Sequence, residues 1–241
     1  MDKRLSEHDW GIIVALDIED FEETLDLVRK VDKVEGVIGY KVGLTSVLHL
    51  GIVEAVRRIR AETDQFLVYD HQKAGPDMAD MGPKFGAMCA KSDIDGLILF
   101  PMAGPTATSM FVKGAIDNNL LPLVGGQIPH SDYLVSGGGY VADDALDRIM
   151  SDAAAAGATS FILPANEKEA NRKRAEWVAG NVEDGRMFVT GIGPLGGGIT
   201  ESFKLVEAVK RRYAIIGRSI TAANDPAEAA KKLVDEAHSA L

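Results

Sequence analysis

The sequence has almost no cysteine, no excess of positive charge and no long apolar run. Cys89 is the one thiol among 241 residues, which rules out an internal disulfide framework and a cysteine zinc cluster. Its surroundings, Gly86-Ala87-Met88-Cys89-Ala90, read as a helix face where a free thiol packs as a small hydrophobe. Lysine and arginine number 26 against 36 aspartates and glutamates, a formal charge of -10. With no basic block, that balance argues against a nucleic-acid surface, although an acidic protein still binds an anion where positive groups cluster. No apolar stretch approaches the roughly 18–20 residues of a membrane span, so no membrane partner is expected. Met1 to Glu7 carries no apolar signal region, so a cytoplasmic location is expected. No Pro/Ser-rich linker divides the chain, and residues 1–241 are expected to form a single domain.

What is present is a repeat. Short aliphatic runs recur at Ile12–Leu16, Val37–Lys41, Phe66–Asp70, Gly96–Phe100, Leu121–Gly125, Ser160–Pro164, Met187–Gly191 and Tyr213–Gly217. None alternates cleanly between apolar and polar, as expected of strands buried on both faces. Amphipathic segments lie between them, at Phe21–Val34, Ser46–Ala61, Asp77–Ala90, Thr106–Asp117, Ala142–Ala156, Glu167–Ala179, Glu201–Arg211 and Pro226–Leu241. Strand alternating with helix in this way predicts an α/β fold, a single (β/α)8 TIM barrel. A doubly wound open sheet is the alternative, but the repeat shows no break to mark a switch point.

In such a barrel the C-terminal strand ends share one mouth. Asp17, Lys41 and Asp70 end the first three runs, and Asp70 opens the cluster Asp70-His71-Gln72-Lys73-Ala74-Gly75-Pro76-Asp77. Charges of both signs at the end of a buried strand are costly unless paired, so Lys41, Asp70, Lys73 and Asp77 are expected to gather in one pocket as catalytic groups. A second signal follows the seventh run: Gly191-Ile192-Gly193-Pro194-Leu195-Gly196-Gly197-Gly198 leads into a helix, and the eighth run ends in Gly217-Arg218. Glycine amides at a helix start, with a guanidinium beside them, suit a phosphate. Ser136-Gly137-Gly138-Gly139, after the fifth run, is a candidate lid. His71 and His130 fall near the mouth without metal-ligand spacing, and His8, His49 and His238 read as surface groups.

Together these motifs resemble the orotidine 5′-monophosphate decarboxylase family over nearly the whole chain. The resemblance rests on Val14-Ala15-Leu16-Asp17, Tyr40-Lys41-Val42-Gly43, the Asp70–Asp77 cluster, the glycine loop, Ile216-Gly217-Arg218-Ser219-Ile220 and Asp225-Pro226-Ala227-Glu228. It implies decarboxylation of a nucleotide, orotidine 5′-monophosphate, to uridine 5′-monophosphate with neither metal nor organic cofactor. In that scheme Lys73 stabilises and protonates a C6 carbanion, and Asp70 holds Lys73. Lys41 and Asp17 bind ribose hydroxyls, while Gly196, Gly197, Gly217 and Arg218 grip the phosphate. The resemblance also implies a homodimer in which Asp77 reaches the partner's site. Related sugar-phosphate decarboxylases and hexulose-phosphate synthases usually carry glutamate where this chain has Lys41, and that glutamate helps to hold magnesium. A magnesium-dependent sugar-phosphate decarboxylase or aldolase, or a non-catalytic phosphate-binding barrel, are the alternatives. Two departures stand out. The family spacing is Asp-x-Lys-x-x-Asp, and here one extra residue lies on each side of Lys73. Leu195 also stands where the family has a phosphate-contacting glutamine. Gln127 falls where the family has a base-reading serine, and its longer amide is expected to serve part of both tasks.

Overall fold

Each aliphatic run pairs parallel to the next, and the last pairs with the first. The structure, a computed structural model, describes residues 3–71, 74–193 and 197–241. Its strands are β1 (Trp10–Ala15), β2 (Val37–Val42), β3 (Phe66–Asp70), β4 (Gly96–Leu99), β5 (Leu121–Val124), β6 (Ser160–Pro164), β7 (Arg186–Thr190) and β8 (Arg211–Ile216). β1 pairs with β2 through Ala15 and Lys41, and with β8 through Val14 and Ile216. That closure makes a (β/α)8 barrel and excludes the open sheet.

Both faces of the strands are buried, which is why no polar alternation marks them in the sequence. Ile13, Ile38, Phe66, Val68, Ile98, Leu123, Ile162, Phe188, Tyr213 and Ile215 fill the interior. Their neighbours Val14, Tyr40, Leu67 and Ala214 pack outwards against the helices. At the N-terminal end the rings of Phe188 and Tyr213 lie 4.8 Å apart. Leu5, from the short α1 (Lys3–Ser6), is fully buried in the same interior cluster.

The outer ring comprises α2 (Phe21–Val31), α3 (Leu44–Val47), α4 (Ile52–Arg60), α5 (Met81–Cys89), α6 (Pro105–Ile116), α7 (Ala145–Ala155), α8 (Lys168–Asn181), α9 (Ile199–Leu205), α10 (Arg218–Thr221) and α11 (Pro226–His238). Asp20 caps α2 by accepting from the amides of Glu22 and Glu23, and Asp225 caps α11 in the same way with Pro226 behind it. Such caps satisfy amides that have no partner inside the helix. Cys89 is buried on α5. Among the described residues no helix is long and apolar enough to cross a membrane.

Three expected helices differ. Ser46–Ala61 is divided into α3 and α4 because Gly51 takes a left-handed φ of 72°, which an L side chain resists. Glu201–Arg211 stops at Leu205, and Arg211 already belongs to β8. α5 begins at Met81 rather than Asp77, whose carboxylate turns back to accept from the Met78 amide (2.7 Å). The glycine stretch after β5 folds onto itself. Val135 N donates to Val141 O and Gly139 N to Leu134 O (2.8 Å each), with a 3-10 turn at Val135–Gly137 and Tyr140 fully exposed at its edge.

Candidate active site

Strand alternation decides which charges face inwards. Tyr40 and Val42 pack outwards, so Lys41 between them points into the barrel; Val68 points inwards and Asp70, two residues on, follows it. The Lys41 ammonium stands 2.9 Å from Asp70 Oδ2 and 2.9 and 3.0 Å from the two oxygens of Asp17. Lys41 is 9% exposed and Asp70 7%. Burial opposes the ammonium's charge, but the carboxylates of Asp70 and Asp17 outweigh it and hold its pKa above the ordinary lysine value. Lys41 is therefore a fixed cation through the neutral range. Asp17 is placed from behind. Ser46 Oγ donates to Leu16 O (2.8 Å), and a methyl on Gly43 would stand 2.2 Å from Asp17 Oδ1.

The array is short of one positive charge. Asp70 Oδ1 is buried and accepts no hydrogen bond from the described residues, and two carboxylates share one ammonium. A buried carboxylate oxygen left unpaired is costly, so the site is built for a further donor.

These groups line a cavity of about 290 Å³ at the C-terminal strand ends, floored by Ile98, Ile162 and Ile215. Gln127, just beyond β5, is 4% exposed and lines the same cavity. Its side-chain amide makes no hydrogen bond within the described residues, leaving both donor and acceptor for a ligand. On the opposite wall Gly217 and Arg218 reach the cavity, and the exposed guanidinium has no ion pair among the described residues. The loop after β7 lies against this wall: Gly193 N donates to Gly197 O (2.8 Å), and the bare backbone of Gly193 sits on Ser219 of α10. The sequence model of the orotidine 5′-phosphate decarboxylase / HUMPS family matches residues 11–233. The chain belongs to that family.

Solved structures of orotidine 5′-monophosphate decarboxylases share the fold. One from Methanocaldococcus jannaschii, complexed with inhibitor BMP, is 22% identical with a TM-score of 0.79, covering 95% of this chain and 99% of that one. Another from the same organism is 19% identical at a TM-score of 0.72, over 93% and 97%. The enzyme from Pyrococcus horikoshii OT3 is 21% identical at 0.74, over 94% and 99%. No curated protein matches the chain by sequence.

For this member of the orotidine 5′-phosphate decarboxylase / HUMPS family, the structure brings Asp17, Lys41, Asp70, Gln127, Gly217 and Arg218 to one cavity. Gly197 is buried at the base of its loop, against Ala165. Lys73, Gly196 and Leu195 lie outside the described residues. Asp77 does not share its own chain's cavity. It is exposed on the loop after β3 and faces a groove outside the barrel between α4 and α5, because Gly75 and Pro76 carry the chain past the end of β4. His71 faces that outer groove too, and His130 is exposed. Sequence reasoning passed over Thr190, the last residue of β7, which lines the cavity. Its spacing of two from the inward Phe188 was the available signal.

Proposed function

We propose that the chain is a cytoplasmic enzyme that decarboxylates orotidine 5′-monophosphate to uridine 5′-monophosphate, the closing step of pyrimidine nucleotide synthesis. The observation that carries this reading is the Asp17–Lys41–Asp70 array with its buried, unsatisfied Asp70 Oδ1. Lys73, three residues further on, supplies the missing cation. As the C6–carboxylate bond breaks, carbon dioxide leaves and the electron pair stays on C6. The Lys73 ammonium stabilises that charge and then gives C6 its proton, and water reprotonates the amine. Asp70 orients Lys73, and Lys41 with Asp17 binds the ribose hydroxyls. Gln127 offers its amide to the base, and Gly196, Gly197, Gly217 and Arg218 hold the phosphate. Remote binding of the phosphate contributes to the barrier at C6. The Lys41 ammonium sits between the Asp17 and Asp70 carboxylates, at the position where the related sugar-phosphate enzymes carry a magnesium-holding glutamate, which favours chemistry without a metal.

The enzyme works as a homodimer in which Asp77 reaches the cavity of the second copy. In support, Leu44, Leu48, Leu50, Val53, Met78 and Met88 are exposed on the segments following β2 and β3, whereas only Val135, Tyr140 and Leu241 are large exposed apolars elsewhere among the described residues. An exposed apolar patch of this kind marks an interface.

The deciding experiment follows the ultraviolet absorbance of orotidine 5′-monophosphate mixed with the protein in EDTA. Turnover that disappears in Lys73→Ala is expected. Binding of uridine 5′-monophosphate without turnover would indicate a binding protein, and neither would indicate a magnesium-dependent sugar-phosphate enzyme.

A further inference from the structure

The wall of the cavity changes character round the barrel. Gly217 and Arg218 stand just past β8, and Asp17, Lys41 and Asp70 follow at the ends of β1, β2 and β3. From β4 to β6 the charges stop. There the lining is Ile98, Phe100, Gln127, Ile128 and Ile162, and the Gln127 amide is its polar group. Phe100 is the one aromatic side chain that lines the cavity among the described residues.

The backbone around that ring is shaped to receive it. Ile98 faces the barrel interior, and Phe100, two residues on, follows it inwards. Phe100 N donates to Ala74 O and Phe100 O accepts from Met102 N (2.8 Å each), so the residue is tied on both sides. On the neighbouring strand Leu123 faces inwards, and the next inward position is Gly125. A Cβ on Gly125 would stand 2.8 and 3.0 Å from two atoms at the tip of the Phe100 ring, and 3.4 Å from Ile162. The ring therefore fills the space that a side chain on β5 would need. It reaches across that strand towards Ile162, and only 9% of the residue stays accessible.

We infer that Phe100 is a specificity residue, which packs against the pyrimidine ring and makes the site prefer a nucleotide to a sugar phosphate. The inference rests on the proposed nucleotide substrate and deepens it. With phosphate at Arg218 and ribose at Asp17 and Lys41, the base falls to the uncharged wall. Gln127 meets its polar edge there, and Phe100 its ring. Contact between two rings is favourable beyond the area it buries, and a sugar phosphate, having no base, forgoes it.

The test is calorimetric titration with uridine 5′-monophosphate and with ribose 5-phosphate. It compares wild type with Phe100→Leu, Gly125→Ala and the double variant, each checked for native circular dichroism. Wild type should bind the nucleotide more tightly than the sugar phosphate. Phe100→Leu keeps an apolar side chain but no flat ring. It should weaken the nucleotide by about 3- to 10-fold and change ribose 5-phosphate by less than about twofold. Gly125→Ala keeps Phe100 but drives its ring off β5 into the cavity, and it too should weaken the nucleotide selectively. The double variant should bind the nucleotide better than Gly125→Ala, because leucine vacates the space the new methyl needs. Equal loss of both ligands in Phe100→Leu, or loss of neither, overturns the inference and leaves the nucleotide reading standing. Should Phe100→Leu not fold, the same comparison on Gly125→Ala decides. A wild type that binds ribose 5-phosphate as tightly as uridine 5′-monophosphate overturns the nucleotide reading, and the role of Phe100 with it.

Discussion

Lys41 is the residue on which the site depends. It answers a buried carboxylate on one side and a half-exposed one on the other, with side-chain exposures of 7% for Asp70 and 52% for Asp17. Removing the ammonium strands Asp70 in a place water reaches poorly. Lys41→Met should therefore cost about 3–5 kcal/mol of stability, measured by urea unfolding, whereas Asp17→Asn should cost no more than about 1 kcal/mol. Arg218 is the opposite case, exposed and unpaired among the described residues, so the fold does not depend on it and its proposed role is toward the ligand. Arg218→Ala should lower kcat/KM for orotidine 5′-monophosphate by the equivalent of about 2–5 kcal/mol. It should barely change turnover of the nucleoside that lacks the phosphate, and equal losses on both substrates would count against a phosphate contact.

Among the elements, the βα segments after β2 and β3 belong both to the site and to the proposed interface. If Asp77 acts on the second copy, Lys73→Ala and Asp77→Ala are each inactive alone, yet a mixed dimer of the two holds one intact site. Activity should reappear when the variants are unfolded and refolded together; its absence would show that Asp77 acts within its own chain, and an active Asp77→Ala on its own would show that it has no part. The strands were legible in the sequence because burial on both faces leaves unbroken aliphatic runs. Lys41 and Asp70 were legible because a charge at the end of such a run is costly to bury without a partner. Helix ends were less so: the break at Gly51 and the late start of α5 depend on a backbone angle and on a carboxylate turning back on its own chain.

At the scale of the whole molecule, the buried proton donors set an alkaline limit. Burial moves the Cys89 thiol from 9.0 up to about 12 and contributes most to the rise of Tyr69 from 10.0 to about 12. Tyr40, buried beside Asp32, and Lys41, paired with Asp70 and Asp17, are raised as well. Each is held protonated by the fold and released in the unfolded chain. Their contribution is complete below about pH 9 and falls as pH climbs through 9–12. Urea midpoints should thus be level from neutrality to about pH 9 and decline beyond it. A thiol reagent at about pH 8 should label Cys89 only after unfolding.

Leu5 and the tilted rings of Phe188 and Tyr213 stopper the far end of the barrel, so among the described residues the vessel opens at the other end. In the proposed reaction, nucleotide, released gas and the water that restores the lysine's proton would all pass the same threshold, between Gln127 on one jamb and Arg218 on the other. A molecule that merely corks the doorway by its phosphate would halt turnover without resembling the pyrimidine at all.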